Sequence, residues 1–294
     1  METWLKKIPL VLESENVKQI KKGYSSDIKY IIDEKFLIRI FKNESERRRR
    51  EEFNTIKQLG NYSEYVPKAI TYQMEEDFSY MVLSYFAGED GESALSSLTK
   101  NAQYDAGFRA GNELYKLHQY KDPNVNLDWY SHKKEKTKRY FQELEQLKID
   151  KKLKTLCLDY FIKNESLMKR RPTTFQHDDF HPANIIIENG KFAGIIDFQR
   201  MDWGDPIHDL HKLGFFSSPI SIPFTQGIVD GYHLHTKLST DFWELYTLYS
   251  VIHLVSSLVW GTKRGMQEKM MMYAMNVLKD HDNFTRIIPR WYQT

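Results

Sequence analysis

Two periodicities divide this chain, and the point where one gives way to the other constrains its fold more than any other feature. Residues 17–26, 28–33 and 36–41 are short runs rich in Ile, Val, Tyr and Phe, broken at Lys22-Gly23 and Asp33-Glu34-Lys35. Such runs read as antiparallel strands joined by turns. Over 44–60 the spacing lengthens: Phe53, Ile56 and Leu59 stand three apart and Gly60-Asn61 follows, which predicts a helix with a C-terminal cap. Residues 66–74 and 78–85 read as two more strands. After Ala87-Gly88-Glu89-Asp90-Gly91, where no apolar side chain is larger than alanine, helical spacing takes over at 102–120, 131–147 and 151–168 and resumes from Pro206 onward. The expectation is an α+β chain of two lobes, residues 1–90 with about five strands and one helix, and residues 91–294 mostly helical. A length of 294 residues agrees, because a single core rarely grows beyond about 250–300.

Composition removes several classes. With 41% hydrophobic residues and a net charge of +2, the chain has enough apolar surface for a core and lacks the basic footprint of a nucleic-acid binder. One cysteine, Cys157, excludes an intramolecular disulfide and suits the reducing cytoplasm. No apolar run reads as approaching the roughly 18–20 residues of a membrane span, and residues 1–12 show no signal-peptide pattern. The run Arg47–Arg50, flanked by acids, reads as a solvated helix face with i,i+4 ion pairs.

The chemistry concentrates in Phe175-Gln176-His177-Asp178-Asp179-Phe180-His181-Pro182-Ala183-Asn184, followed by a hairpin built on Asn189-Gly190 and ending in Ile196-Asp197-Phe198. A carboxylate, an asparagine five residues later and a second carboxylate at a strand end suit phosphoryl transfer. The first acid accepts the proton of a hydroxyl; the other two residues offer hard oxygen ligands to magnesium. That assigns Asp179 as base and Asn184 and Asp197 as metal ligands. Two other readings stand beside it: a zinc site using His177 and His181, which Pro182 keeps off a continuous helix, and a buried polar knot that only orients the loop.

This segment resembles the catalytic loop of the aminoglycoside phosphotransferase family, antibiotic kinases with a protein-kinase-like fold, whose pattern is H-x-D-x-x-x-x-N followed by I-D-F or I-D-W. A third element, W-G-D-P-x-x-D-L, is present as Trp203 to Leu210. The resemblance implies transfer of the γ-phosphate of ATP or GTP, with Mg2+, to a hydroxyl of an aminoglycoside or similar antibiotic, conferring resistance. Asp179 is then the catalytic aspartate. In the third element Asp205 before Pro206 suits an N-cap, so Asp205 and Asp209 read as structural, as does His118 at the end of Leu114-Tyr115-Lys116-Leu117-His118.

The likeness extends to the amino-terminal lobe. It implies that Ser25 and Ser26 lie over the nucleotide phosphates, that Arg39 replaces the family's phosphate-binding lysine with Lys42 as alternative, and that Glu52, rather than its neighbour Glu51, pairs with that cation. Ser84 and Phe86 fall on the strand that meets the base. For the acceptor, Asp178 and Glu244 are the acids suited to a cationic substrate, yet residues 201–294 are aromatic-rich and nearly charge-balanced. A metabolic kinase acting on choline, homoserine or a sugar is therefore the alternative, and Arg39 keeps a nucleotide-binding pseudoenzyme in play. A protein kinase is disfavoured, since G-x-G-x-x-G and A-P-E are both missing.

Overall fold

The structure, a computed structural model, describes residues 3–20, 27–42 and 45–293. Its first lobe is a five-stranded antiparallel sheet of β1 (Val17–Ile20), β2 (Ile28–Ile32), β3 (Phe36–Phe41), β4 (Ala69–Met74) and β5 (Ser79–Ser84), in the order β1-β2-β3-β5-β4. β4 starts three residues later than expected because Pro67 has no N–H to give a ladder. The sequence period of two sorts the strands onto two faces. Ile38 and Ile40 of β3 and Tyr80 and Val82 of β5 share one, covered by Leu5, Ile8 and Val11. Leu5 comes from a 3-10 turn, Thr3–Lys7, Val11 from a short helix α1 (Pro9–Leu12) and Ile8 from the position between them, elements that the sequence reading did not anticipate. Phe41, Met81 and Leu83 point to the other face, where Phe53, Ile56 and Leu59 of α2 (Glu46–Leu59) pack. Arg39 alternates onto that face, opposite Met81 in the register.

The glycine-rich connection carries more structure than a linker. Its strand β6 (Glu89–Asp90) pairs with β8 (Ile185–Glu188), and Asp90 caps the following helix α3 (Gly91–Ala94) by accepting from the N–H of Ser93 at 3.1 Å. Gly88 is required for this pairing: its φ is +115°, and a Cβ there would overlap the Ile187 carbonyl.

The rest is largely helical, with α4 (Lys100–Leu117), α5 (Trp129–Glu145), α6 (Lys151–Asn164), α7 (Ile222–Tyr232), α8 (Thr240–Lys263) and α9 (Gln267–Asp280). Between α6 and α7 lie β7 (Thr174–Gln176), the hairpin β8–β9 with β9 at Lys191–Ile195, and β10 (Asp202–Gly204), which pairs with β7. The Asn189-Gly190 turn has φ of 51° and 75°, as a two-residue hairpin loop of this type demands. Past Pro206 the chain forms a 3-10 turn to Lys212 and a π turn, Leu213–Ser217, before α7 begins, instead of entering an α-helix directly.

Helix α8 corrects the reading of apolar runs. It has 24 residues, and its most apolar 18-residue window has a mean hydropathy of 1.2, enough by length and composition to span a bilayer. Yet 83% of that window is buried inside the protein, so its apolar surface is used by the core.

Helices α4 and α7 touch through glycines. Gly107 and Gly111 lie against the carbonyls of Phe224 and Ile228, and Gly227 and Gly231 against those of Tyr104 and Phe108, each too close for a Cβ. Backbone blocks any side-chain adjustment there. Gly111→Ala is therefore expected to destabilise the fold by about 1–3 kcal/mol, the range for overpacking a tight core. Denaturant unfolding of the two proteins, compared at equal slope, checks this.

Candidate active site

The catalytic loop runs from the end of β7 to the start of β8 and is fastened from behind by Asp209. Its carboxylate accepts from the backbone N–H of His177 at 2.6 Å and of Asp178 at 2.8 Å, and from Nε2 of His118 at 3.0 Å. With Nε2 donating, Nδ1 of His118 takes the hydroxyl of Tyr232 at 2.8 Å, so the buried histidine is structural as its position suggested. Burial alone would raise the pKa of Asp209, but His118 and these donors hold it below the usual carboxylate range. Asp205 is the second fastening. It caps the 3-10 turn through the Ile207 N–H at 3.1 Å, pairs with Arg171 at 2.6 and 3.0 Å and accepts the Tyr249 hydroxyl at 2.7 Å.

Both ring nitrogens of His177 are spoken for. Nε2 faces the Ile196 carbonyl at 2.9 Å and Nδ1 accepts from the Asp179 N–H at 3.2 Å, while the ring lies 4.9 Å from that of Phe198. Burial pushes its pKa down. A zinc ion shared by His177 and His181 has no free His177 nitrogen to bind, so that reading fails. Asp178, His208 and Asp209 bring one ligand atom each within 4.8 Å of one another, but the oxygens of Asp209 are already committed to three donors.

Asp179 is placed at the opening of this loop, with part of its carboxylate exposed. Oδ1 meets Nζ of Lys212 at 2.8 Å and Nε2 of His181 at 3.5 Å; Oδ2 lies 3.6 Å from Nε of Arg200. Burial by itself would raise its pKa, but His181, Lys212 and Arg200 together hold it well below the ordinary value, so it is an anion at neutral pH. Lys212 also donates to the Asp178 carbonyl, so one buried ammonium fixes both the backbone and the carboxylate of the loop. Sequence reasoning missed Lys212. The available signal was its position three residues past Asp209, which puts both on the side that faces the loop once Asp209 does.

Asn184 and Asp197 converge from the two ends of the hairpin. The N–H of Ile196 donates to the Asn184 carbonyl at 3.0 Å, closing the strands beyond their last ladder pair. The Asn184 amide nitrogen donates to the Asp179 carbonyl at 2.8 Å, which leaves its side-chain oxygen as the ligand atom. Asp197 has left-handed backbone, φ 64° and ψ 68°, where β9 turns sharply into the 3-10 turn Phe198–Arg200. Asp tolerates this region better than most residues, and such positions cluster at functional sites. An amide oxygen and a carboxylate are hard donors of the kind magnesium takes, so the residues present fit that ion.

In the small lobe Arg39, Glu52, Asp27 and Arg49 form a closed, buried ring of alternating charge. Arg39 donates from Nε to Asp27 at 2.9 Å, again to Asp27 from Nη2, and to Glu52 from Nη1; Arg49 donates to Glu52 at 2.8 Å and to Asp27 at 3.0 Å. The Glu52 pairing is the one the resemblance implied, and Glu51 instead pairs with exposed Arg47. Arg49 corrects the solvated-face reading: Arg47 and Arg50 are exposed and i,i+4 paired, but Arg49 is buried. The charge of Asp197 reaches Arg39 as well, which ties the small lobe electrostatically to the end of β9. Lysine has one ammonium and cannot bridge Asp27 and Glu52 as the fork does. Arg39→Lys is accordingly expected to lower the melting temperature, because one ammonium leaves part of the buried Asp27–Glu52 pair without its donor. A thermal melt of the two proteins checks this.

Of the remaining residues, Ser25 and Ser26 lie outside the described residues. Ser84 accepts the N–H of Lys68 at 2.8 Å through its hydroxyl. The Phe86 ring packs against Gly194 of β9, where a Cβ would sit 2.7 Å from the nearest ring atom. Glu244 is not brought to Asp179: its charge acts on Tyr160 of α6, and it sits nine residues, roughly 13.5 Å of helix rise, before His253, the α8 residue near Lys212.

The sequence profile described as the phosphotransferase enzyme family (APH) matches residues 16–244. The chain belongs to the phosphotransferase enzyme family. A comparison with curated protein sequences found no match. Among solved structures, this phosphotransferase is similar to aminoglycoside phosphotransferase APH(2'')-Ib with ADP bound, at TM-score 0.69 and 16% identity, with 99% of each chain covered. It is also similar to a choline/ethanolamine kinase family protein from Mesorhizobium loti, at TM-score 0.71 and 13% identity over 99% of this chain and 97% of that one. A macrolide 2'-phosphotransferase from Brachybacterium faecium follows at 0.62 and 10%, covering 89% and 91%. The phosphotransferase thus has the kinase-like fold, and the three solved structures named above are of small-molecule kinases.

Proposed function

We propose that this phosphotransferase moves the γ-phosphate of ATP or GTP to a hydroxyl of a small molecule, and the convergence of Asp179, Asn184 and Asp197 at one end of the β8–β9 hairpin is the observation that carries this reading. The bond from the γ-phosphorus to the β-phosphate bridging oxygen breaks as the acceptor oxygen bonds to phosphorus. ADP or GDP leaves with the electron pair, and the hydroxyl proton passes to Asp179. Held far below the usual carboxylate range, Asp179 is a weak base, so its chief work is to orient the hydroxyl, taking the proton late, as a loose transition state allows. Lys212 and His181 keep it in place. Asn184 and Asp197 would hold magnesium, which neutralises charge on the phosphates. Arg39, with Glu52 behind it, would face the phosphates from the small lobe, a role that the resemblance also gives to Ser25 and Ser26, and Ser84 and Phe86 would flank the base.

Two acceptor classes have support. Structural relatives with gentamicin, streptomycin or hygromycin B bound support an aminoglycoside or similar antibiotic, and with it resistance. The choline/ethanolamine kinase relative supports a metabolite. Of the two acids suited to a cationic acceptor, Glu244 lies away from the catalytic carboxylate, and Asp178, next to Asp179 in the chain and partly exposed, is the one the site keeps. A cytoplasmic location is consistent with the single buried thiol of Cys157. The reading is tested by incubating the protein with Mg-ATP or Mg-GTP and a broad acceptor set and identifying the phosphorylated product. Nucleotide turnover with a phosphomonoester product is expected, and nucleotide binding without turnover would instead mark a pseudoenzyme.

A further inference from the structure

The two oxygens of the Asp179 carboxylate have different neighbours. Oδ2 faces Arg200, and the Gln199 carbonyl next to that residue accepts from Arg48 of α2 at 3.4 Å, so this side adjoins the small lobe. Oδ1 faces Lys212 at 2.8 Å and His181 at 3.5 Å, the side of the helical lobe. Lys212 is buried and committed to the loop, so the first ring met there is that of His181, and the ring of Phe216 lies 5.5 Å from it, centre to centre. Asp179, His181 and Phe216 are all partly exposed, so a small molecule reaches them from solvent without entering the core. Phe216 stands on the π turn Leu213–Ser217, whose other four residues are all buried. Such turns recur at functional sites. Its ring meets Tyr273 of α9 at 5.3 Å and His253 of α8 at 5.8 Å, each at 77°. Burial pushes the pKa of His253 well below its ordinary value, so this backing is uncharged.

We infer that Phe216 is the platform for the acceptor: the carbon frame that carries the phosphorylated hydroxyl lays a C–H face on the Phe216 ring, beside His181, while the hydroxyl meets Asp179. The inference rests on the phosphotransfer reading and adds to it the residue that sets acceptor affinity. In-line transfer needs the acceptor and the leaving nucleotide on opposite sides of the phosphorus. With the nucleotide against the small lobe, the acceptor falls on the side of Phe216. The face of an aromatic ring is electron-rich, so it favours C–H groups polarised by a neighbouring oxygen or nitrogen, as on a sugar or cyclitol ring or on the carbons bound to an ammonium. Rings and open chains share that chemistry. A side chain packed against the catalytic loop, α8 and α9 at once is already ordered, so little freedom is lost when the acceptor binds.

The test uses the whole protein with Mg-ATP and two acceptor sets: ring-bearing ones (sugars, cyclitols and aminoglycosides) and open-chain ones (choline, ethanolamine and homoserine). ADP release and product phosphorus NMR are the readouts, the two sets separate a ring from a chain as the source of the C–H face, and the acceptor turned over fastest is carried into the variants. Phe216→Leu keeps an apolar side chain but removes the aromatic face. It is expected to raise the acceptor KM roughly 2- to 10-fold, the usual size of an aromatic contact beyond its area, with much smaller changes in kcat and in the KM for ATP. Phe216→Tyr keeps the ring and is expected to hold the acceptor KM within about twofold of the natural protein. Tyr273→Leu is made in parallel; it removes a neighbour that orients the ring and is expected to raise the same KM by less. An acceptor KM unchanged in both Leu variants, or a KM for ATP that rises in the same proportion, would overturn the inference. Turnover with neither set would overturn the phosphotransfer reading itself, and the inference with it.

Discussion

Asp179→Asn is expected to lower kcat for phosphoryl transfer by roughly 10²- to 10⁴-fold, the usual contribution of a positioned general base. Asparagine keeps the shape but removes the charge that orients the hydroxyl and accepts its proton. It also leaves the buried ammonium of Lys212 without its carboxylate, so some loss of stability should accompany the loss of rate. The double variant Asp179→Asn, Lys212→Met separates the two: stability should recover and rate should not. The sign of the pH dependence follows from the depressed pKa of Asp179. A carboxylate whose folded pKa lies below its unfolded value, roughly 3.9, adds stability at all pH above that value and loses it only as pH falls further. Between pH 5 and 8, therefore, neither the stability from this pair nor the ionisation of Asp179 should change, and any acid limb of the rate profile in that range must come from another group. Initial rates and thermal melts across this range check it.

Asp197→Ala should have the second largest effect. Losing a direct oxygen donor is expected to raise the magnesium concentration for half-maximal rate by more than the roughly 10- to 100-fold typical of losing an outer-shell partner. Alanine is also less at ease than aspartate at φ 64°, so the variant should be less stable. Asp197→Asn removes this ambiguity, because asparagine tolerates the left-handed region while being a weaker magnesium ligand. A magnesium titration of the rate at fixed, saturating ATP is the measurement, and an Asn variant with wild-type magnesium dependence would move the metal away from Asp197.

What was legible in the sequence was what is local. The Asn189-Gly190 turn needs two adjacent residues at positive φ, and the pair announces itself. Asp179, Asn184 and Asp197 lie on one loop and one hairpin, so their spacing carries their geometry. The helix cap at Asp205 is likewise written in two neighbouring residues. What depends on distant partners was not legible. The burial of Arg49 is decided by Asp27, which reaches it across 22 residues. Lys212 gains its role from a carboxylate 33 residues earlier. The burial of α8 escaped notice because Ser, Thr, His and Tyr interrupt its apolar residues, yet the surrounding helices cover it on nearly every side. The contact of α4 with α7 shows only as scattered glycines until both helices are in place.

The account stands or falls on where the γ-phosphate goes. The most direct measurement uses ATP carrying ¹⁸O on its γ-phosphate, with phosphorus NMR and mass analysis of the products formed with the acceptor sets above. The account predicts a phosphomonoester of the acceptor that retains the label, formed by the natural protein and, at a rate roughly 10²- to 10⁴-fold lower, by Asp179→Asn. Labelled inorganic phosphate alone, or the same phosphomonoester at an undiminished rate from Asp179→Asn, would contradict it.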